Sequence, residues 1–354
     1  MGQKSKLKKY KVTKKTLNLL DISSEKQENT TMNRIFSLFE EKKFESSLAL
    51  LGVIFTCILI FLLNTPVVDK RVEIQKKNIE NPLTIKREKI AQGLLEDIVA
   101  KAFYVLDLQT GKVVFSKNET EKLPLASLTK LMSTLVISEK LPEFTSIPIT
   151  KESIKIQGDS GLFLDEKWKL KDLIDFSLIT SSNDGIVALS SVLNAFESSL
   201  MLSTVDLMNK KSVELGLTNT EFFNETGLDI NPGKNGGYSS AKDTANLISY
   251  ILQNKKQLLL ATSNSEKTIT SESNLVHIAK NTNELSEKIP SLIASKTGFT
   301  DFAGGNLVMA FEIGPTKPVV AVVMGSTIEG RFTDMENIVR ATYNYYSDFD
   351  FNIK

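Results

Sequence analysis

Ser127-Leu128-Thr129-Lys130, Ser181-Ser182-Asn183 and Lys296-Thr297-Gly298 fall in that order along the chain. Their residue types suit acyl transfer without a histidine: a hydroxyl nucleophile, an amine to take its proton, a second hydroxyl beside an amide, and a further cation. A serine and a lysine three apart on a helix share one face, so the amine reaches the hydroxyl. The lysine acts as a base near neutral pH only if desolvation or a neighbouring cation lowers its pKa, and Lys296 could be that cation. The chain's one histidine, His277, is not needed as the base.

Each motif alone is weak. Ser23-Ser24-Glu25-Lys26 also matches Ser-x-x-Lys, and Ser181 and Asn183 equally suit the capping of a helix beginning near Asp184. The ordered set is more specific: Lys-Thr-Gly occurs once in the chain, although Ser-x-Asn recurs at Ser116-Lys117-Asn118, ahead of the Ser-x-x-Lys at 127.

The elements that must position these residues are legible in the pattern. Ala102–Asp107 and Lys112–Phe115, around a Gln-Thr-Gly turn, read as an antiparallel hairpin. Leu128, Leu131, Met132, Leu135 and Val136 follow a helical rhythm that puts Ser127 in the first turn. Helical patterns run over 170–193 and 240–252, strands over 305–311 and 318–324, and a last helix over 333–346. Strands at both ends with helices between exclude a continuous βαβ sheet. They predict an α+β fold, with a mainly antiparallel sheet built from both ends of the domain and helices packed on it.

A chain of 354 residues with 41% hydrophobic content can bury a large core. Residues 1–45 hold 11 Lys/Arg against 6 Asp/Glu, so the basic excess is a tail and implies no nucleic-acid partner. No charge falls between Glu45 and Asp69, and residues 48–63 are almost purely apolar. A bilayer core requires about 20 such residues, so 46–68 is expected to be a single transmembrane helix. The long preceding region argues for a retained signal-anchor rather than a cleaved signal, and the lysines of the tail favour a cytoplasmic N-terminus. Residues 69–95, interrupted by Asn81-Pro82, are expected to form a stalk without a core, and 96–354 the outer domain. The only cysteine, Cys57, lies within the expected span, so the outer domain has no disulfide or thiolate metal site. No metal or cofactor is expected.

These motifs resemble those of the penicillin-binding and serine β-lactamase superfamily. Longer strings sharpen the resemblance: LASLTKLM at 125–132, NETGL at 224–228, YSSAKD at 238–243, Asn281-Thr282-Asn283, KTGFTD at 296–301 and MGSTIEGR at 324–331. They are similar to the D-alanyl-D-alanine carboxypeptidases of the low-molecular-weight penicillin-binding proteins, serine peptidase family S11. The resemblance covers roughly residues 98–347 and implies a β-lactamase/transpeptidase-like fold.

It also implies roles. Ser127 would attack the carbonyl of the penultimate D-alanine, Lys130 would be its base, and Ser181 would relay a proton to the leaving D-alanine. Asn183 would bind the substrate backbone, Lys296, Thr297 and Arg331 its terminal carboxylate, and the N–H groups of Ser127 and Phe299 the oxyanion. The substrate would be the peptidoglycan stem peptide ending in D-Ala-D-Ala, with β-lactams as covalent inhibitors, and the enzyme would sit on the outer face of a bacterial cell membrane. Arg331 also suits a solvated place before the last helix. Asp243 reads as part of a helix start, while Asn224, Gly227 and Tyr238 read as loop-shaping.

Two departures stand out: Ser182 where the family usually has Gly or Ala, and a chain that ends soon after the final helix, without the family's frequent C-terminal β-rich domain and anchor. A β-lactamase-like hydrolase is the alternative, although 183–296 holds no Glu-x-x-Leu-Asn segment. A membrane-anchored β-lactam sensor or non-turnover wall-binding protein is another. Carboxypeptidase, endopeptidase and transpeptidase share these motifs and differ in acceptor access.

Overall fold

Six of the nine residues of Pro318–Ser326 are fully buried, as expected of a strand covered on both faces. This strand lies inside the main sheet of a computed structural model that describes residues 82–346 except 290, 315 and 316. The tail at 1–45, the expected span at 46–68 and residues 69–81 lie outside the described residues, as do 347–354. Among the described residues no helix is long and apolar enough to cross a membrane.

Helix α1 (Pro82–Leu95) precedes strands β1 (Ala102–Asp107), β2 (Val113–Lys117) and β3 (Leu123–Pro124). A 3-10 turn (Ala126–Leu128) leads into α2 (Thr129–Lys140), followed by β4 (Ser146–Pro148) and β5 (Lys167–Lys169). Then come α3 (Leu170–Thr180), α4 (Asn183–Phe196), α5 (Thr204–Glu214), β6 (Glu221–Phe222), β7 (Gly237–Ser239) and α6 (Ala241–Asn254). The hairpin β8 (Glu266–Thr270) and β9 (Val276–Lys280) precedes β10 (Leu292–Thr300), β11 (Gly304–Glu312), β12 (Pro318–Ser326) and α7 (Gly330–Tyr346).

The main sheet runs β10-β11-β12-β1-β2, with every neighbouring pair antiparallel. Ala102 pairs with Met324 and Asp107 with Val319, so the two ends of the domain are joined at the middle of the sheet. Alternation divides the core. Tyr104, Val308, Ala310, Val320 and Val322 face α2–α6, while Phe103, Val105, Met309, Phe311, Ala321 and Val323 face α7 through Met335, Ile338 and Val339. The α+β architecture read from the sequence is the one observed.

Two expectations change. Residues 82–95 are not coreless stalk: they form α1, which packs along α7, with Ala91 fully buried and Leu95 against the second cluster. Pro82 marks a helix start rather than an interruption, because proline at a first helical position loses no hydrogen bond and has a suitable φ. The helical pattern over 170–193 is two helices, broken at Ser181, whose φ of 61° is left-handed.

Candidate active site

Lys130 lies one turn into the helix face that follows Ser127, and its Nζ donates to Ser127 Oγ at 2.8 Å, Asn183 Oδ1 at 2.7 Å and the Thr226 carbonyl at 2.8 Å. Three acceptors fill the donor capacity of an ammonium. Ser127 belongs to the 3-10 turn before α2 rather than to its first α-helical turn, and Lys130 is fully buried. Burial pulls the Lys130 ammonium down to about 7, against the opposing attraction of Asp184 and Glu225. Of the two causes considered from the sequence, desolvation and a neighbouring cation, desolvation is the main one.

Lys296, on β10, is also buried, and its Nζ donates to Ser181 Oγ and to the Thr297 carbonyl, both at 2.8 Å. Burial, then the charges of Lys130 and Arg331, holds Lys296 well below an ordinary lysine. Ser181 closes α3 in its left-handed conformation and Asn183 opens α4, so the second motif is a helix–helix elbow that turns both side chains toward the lysines. Asn183 uses Nδ2 to reach the Gln157 carbonyl at 2.7 Å while Oδ1 receives Lys130.

Ser182, not Ser181 or Asn183, is the cap: its Oγ accepts from Gly185 N–H at 2.9 Å and donates to Asp184. The departure at this position therefore has a structural job. Thr297 Oγ1 lies 2.6 Å from Thr282 Oγ1, and Phe299 is half-exposed at the end of β10. A Cβ added to Gly298 would come within 3.1 Å of Ser127 N, so only glycine lets this strand run against the serine's N–H.

Arg331 is not solvated. It lies in the first turn of α7, 9% exposed, with Nη1 donating to the Gly298 carbonyl at 3.1 Å. The structure thus brings Ser127, Lys130, Asn183, Ser181 and Lys296 into one hydrogen-bonded constellation and ties Arg331 to the strand beside it.

Asp243 accepts from Asn219 N–H and Thr220 Oγ1, a structural role, and Asn224 Oδ1 accepts from Thr226 and Gly227 N–H, shaping the loop as read. His277 is engaged elsewhere, its Nε2 2.7 Å from Glu166 Oε1 and its ring against Trp168 and Phe176. Among the described residues no group of three or more His, Cys, Asp or Glu is placed to hold a metal. The sequence reading missed the Thr226 carbonyl, which no side-chain motif signals, although it lies inside the NETGL string.

A buried lysine on a serine, with a second lysine on a second serine, is an acyl-transfer arrangement. The family model for D-alanyl-D-alanine carboxypeptidase, peptidase S11, matches residues 87–327. The chain belongs to this family. The D-alanyl-D-alanine carboxypeptidase DacF of Bacillus subtilis is 30% identical over 253 residues, 70% of this chain and 63% of that protein. A D-alanyl-D-alanine endopeptidase of Pseudomonas aeruginosa is also 30% identical, over 257 residues, 70% of this chain and 77% of its own. Penicillin-binding protein D2 from Listeria monocytogenes, solved in a cefotaxime-bound form, matches with a TM-score of 0.59 at 26% identity, covering 70% of this chain and 98% of that one. The Streptomyces K15 DD-transpeptidase shares the fold, with a TM-score of 0.62 at 24% identity over 71% of this chain and 98% of its own. The chain thus spans less than two thirds of the length of the Bacillus relative.

Proposed function

We propose that this S11 member is a serine-type D-alanyl-D-alanine carboxypeptidase that removes the terminal D-alanine of peptidoglycan stem peptides through an acyl-enzyme. The observation that carries the reading is Lys130 Nζ, 2.8 Å from Ser127 Oγ and able to be neutral near pH 7. Neutral Lys130 takes the hydroxyl proton as Ser127 Oγ attacks the penultimate D-alanine carbonyl. The N–H groups of Ser127 and Phe299 receive the oxyanion, and Ser181, held by Lys296, passes a proton to the leaving D-alanine nitrogen. Water then attacks the ester, giving the shortened peptide and free Ser127.

Asn183 keeps one amide hydrogen for the substrate backbone, since the other is committed to Gln157. Lys296 and Thr297 take the terminal carboxylate, and Arg331 adds its charge while it holds Gly298. β-Lactams act as covalent inhibitors at Ser127; the cefotaxime-bound relative supports this part of the reading.

The apolar run at 48–63 and the basic tail support a retained signal-anchor over 46–68, with the N-terminus cytoplasmic and the catalytic domain outside, where peptidoglycan lies. Cleavage of the domain by protease added to intact spheroplasts supports that topology, and full protection contradicts it.

The activity test uses the full-length chain, a peptide ending in D-Ala-D-Ala and a fluorescent penicillin. D-alanine release and covalent labelling, both abolished by Ser127→Ala, are expected. Labelling without release would instead identify a sensor. The endopeptidase among the relatives makes a cross-linked peptide the second substrate to assay.

A further inference from the structure

Ala126, immediately before Ser127, has a φ of 48° and is fully buried. A left-handed conformation is unfavourable for a residue with a Cβ and persists only where its surroundings over-determine it. Two buried carboxamides from distant parts of the chain do so here.

Asn235, in the loop between β6 and β7, accepts through Oδ1 from Ala126 N–H at 3.3 Å and Gly237 N–H at 3.1 Å. Its Nδ2 donates to the Gly227 carbonyl at 3.1 Å and to Asp229 Oδ1 at 2.6 Å. Asn306, on β11 directly opposite Gly298, donates through Nδ2 to the Pro124 carbonyl at 2.9 Å and the Leu125 carbonyl at 3.0 Å. Its Oδ1 accepts from Gly325 N–H at 2.8 Å. Both asparagines are 0% exposed.

Glycines complete the grip. A Cβ on Gly227 would stand 1.8 Å from the Ala126 carbonyl oxygen, and one on Gly298 would stand 2.8 Å from that of Leu125. Side-chain amides thus take the Ala126 N–H and the Pro124 and Leu125 carbonyls, beside the backbone bonds from Leu125 N–H to the Gly237 carbonyl and from Leu128 N–H to the Leu125 carbonyl. Buried amides are costly unless bonded, and each of these ties the residues that deliver Ser127 to a separate part of the fold, Asn235 to the 227–237 loop and Asn306 to Gly325.

We propose that Asn235 and Asn306 form a clasp that holds the left-handed Ala126 turn and so aims Ser127 Oγ at Lys130. Both are positioning residues for acyl transfer. The proposal rests on the reading of Ser127 as nucleophile. Released from either amide, the turn relaxes and the serine swings from the lysine, while the groups that take the carboxylate stay in place. The chemical step slows and non-covalent binding does not change.

The test measures fluorescent penicillin acylation of the full-length chain over a concentration series, which separates the limiting rate constant from the pre-covalent dissociation constant. Asn235→Ala and Asn306→Ala are each expected to lower the limiting rate about tenfold or more, given the sensitivity of chemistry to small misplacements, with the dissociation constant unchanged. Ala126→Gly, added to Asn235→Ala, restores part of the rate, since glycine adopts this φ without strain. An amide that merely supported the fold would not answer to residue 126.

Wild-type limiting rates in both folded variants overturn the clasp. So does loss of folding in both, which would make the amides general supports, or a lowered rate that Ala126→Gly leaves untouched. A wild-type chain that takes no label overturns the acyl-enzyme reading, and the clasp with it; a labelled wild type beside unaffected variants overturns the clasp alone.

Discussion

Lys130 Nζ donates to Ser127 Oγ at 2.8 Å from a fully buried position, and that burial sets the pH at which the pair can react. The rate of penicillin labelling should rise with pH through a midpoint near 7, where Lys130 loses its proton, and then level. Stability follows the same group. Between about 7 and the ordinary 10.5 the unfolded chain holds a proton that the folded chain has released, so stability rises with pH across that window. Labelling that is flat from pH 5 to 9, or that rises only near pH 10, would sink the assignment of Lys130 as base.

Adjacent serines separate chemistry from capping. Ser181 Oγ receives Lys296, whereas Ser182 Oγ accepts from Gly185 N–H. Ser181→Ala should lower D-alanine release by about a hundredfold, the usual scale of a lost proton relay, with little change in melting temperature. Ser182→Ala should cost about 1 kcal/mol, the usual loss of a cap, and keep activity. Kinetics and thermal melts on both variants decide the matter, and an inactive but fully stable Ser182→Ala would contradict it.

Gly227 and Gly111 both have positive φ, at 81° and 71°, but only Gly227 meets a neighbour. A Cβ at 227 would collide with the Ala126 carbonyl, so Gly227→Ala should destabilise by about 2–4 kcal/mol and suppress labelling. Gly111→Ala has open space and should lose only about 1 kcal/mol from backbone strain, with labelling retained. Equal effects in melts and labelling would be evidence against the close packing beneath Ser127.

What was legible in the sequence was local. Ser127 and Lys130 are one helical turn apart, and β11 and β12 are apolar runs, so spacing and periodicity suffice for them. The elbow at Ser181 was not legible, because a serine carries no mark of a left-handed φ. Nor were Asn235, Asn306 and the Thr226 carbonyl, which reach 124–130 only across 96 or more residues of chain. Burial was the other invisible quantity. It lowers Lys130 and seats Arg331 against Gly298, and neither motif announces it.

Helix α1 gives the last prediction. Its polar composition suggested a stalk, yet Ala91 is fully buried and Leu95 packs against the cluster under α7. The chain after it is pinned separately: Asp334 of α7 accepts from Val99 N–H and Ala100 N–H, each at 2.9 Å, and from Ser326 Oγ at 2.6 Å. A chain that begins at Pro82 keeps this cover, whereas one that begins at Glu96 strips an apolar cover from α7 and leaves the Asp334 bonds. The expected loss is about 2 kcal/mol, the scale of one large apolar side chain. At this chain length that corresponds to roughly 5 °C, measured by calorimetry on the two truncations. Penicillin labelling at low temperature should survive in both, since α1 supplies none of the site residues and α7 supplies only Arg331, which Gly298 holds from β10. Identical melting temperatures would return 82–95 to the role of a spacer.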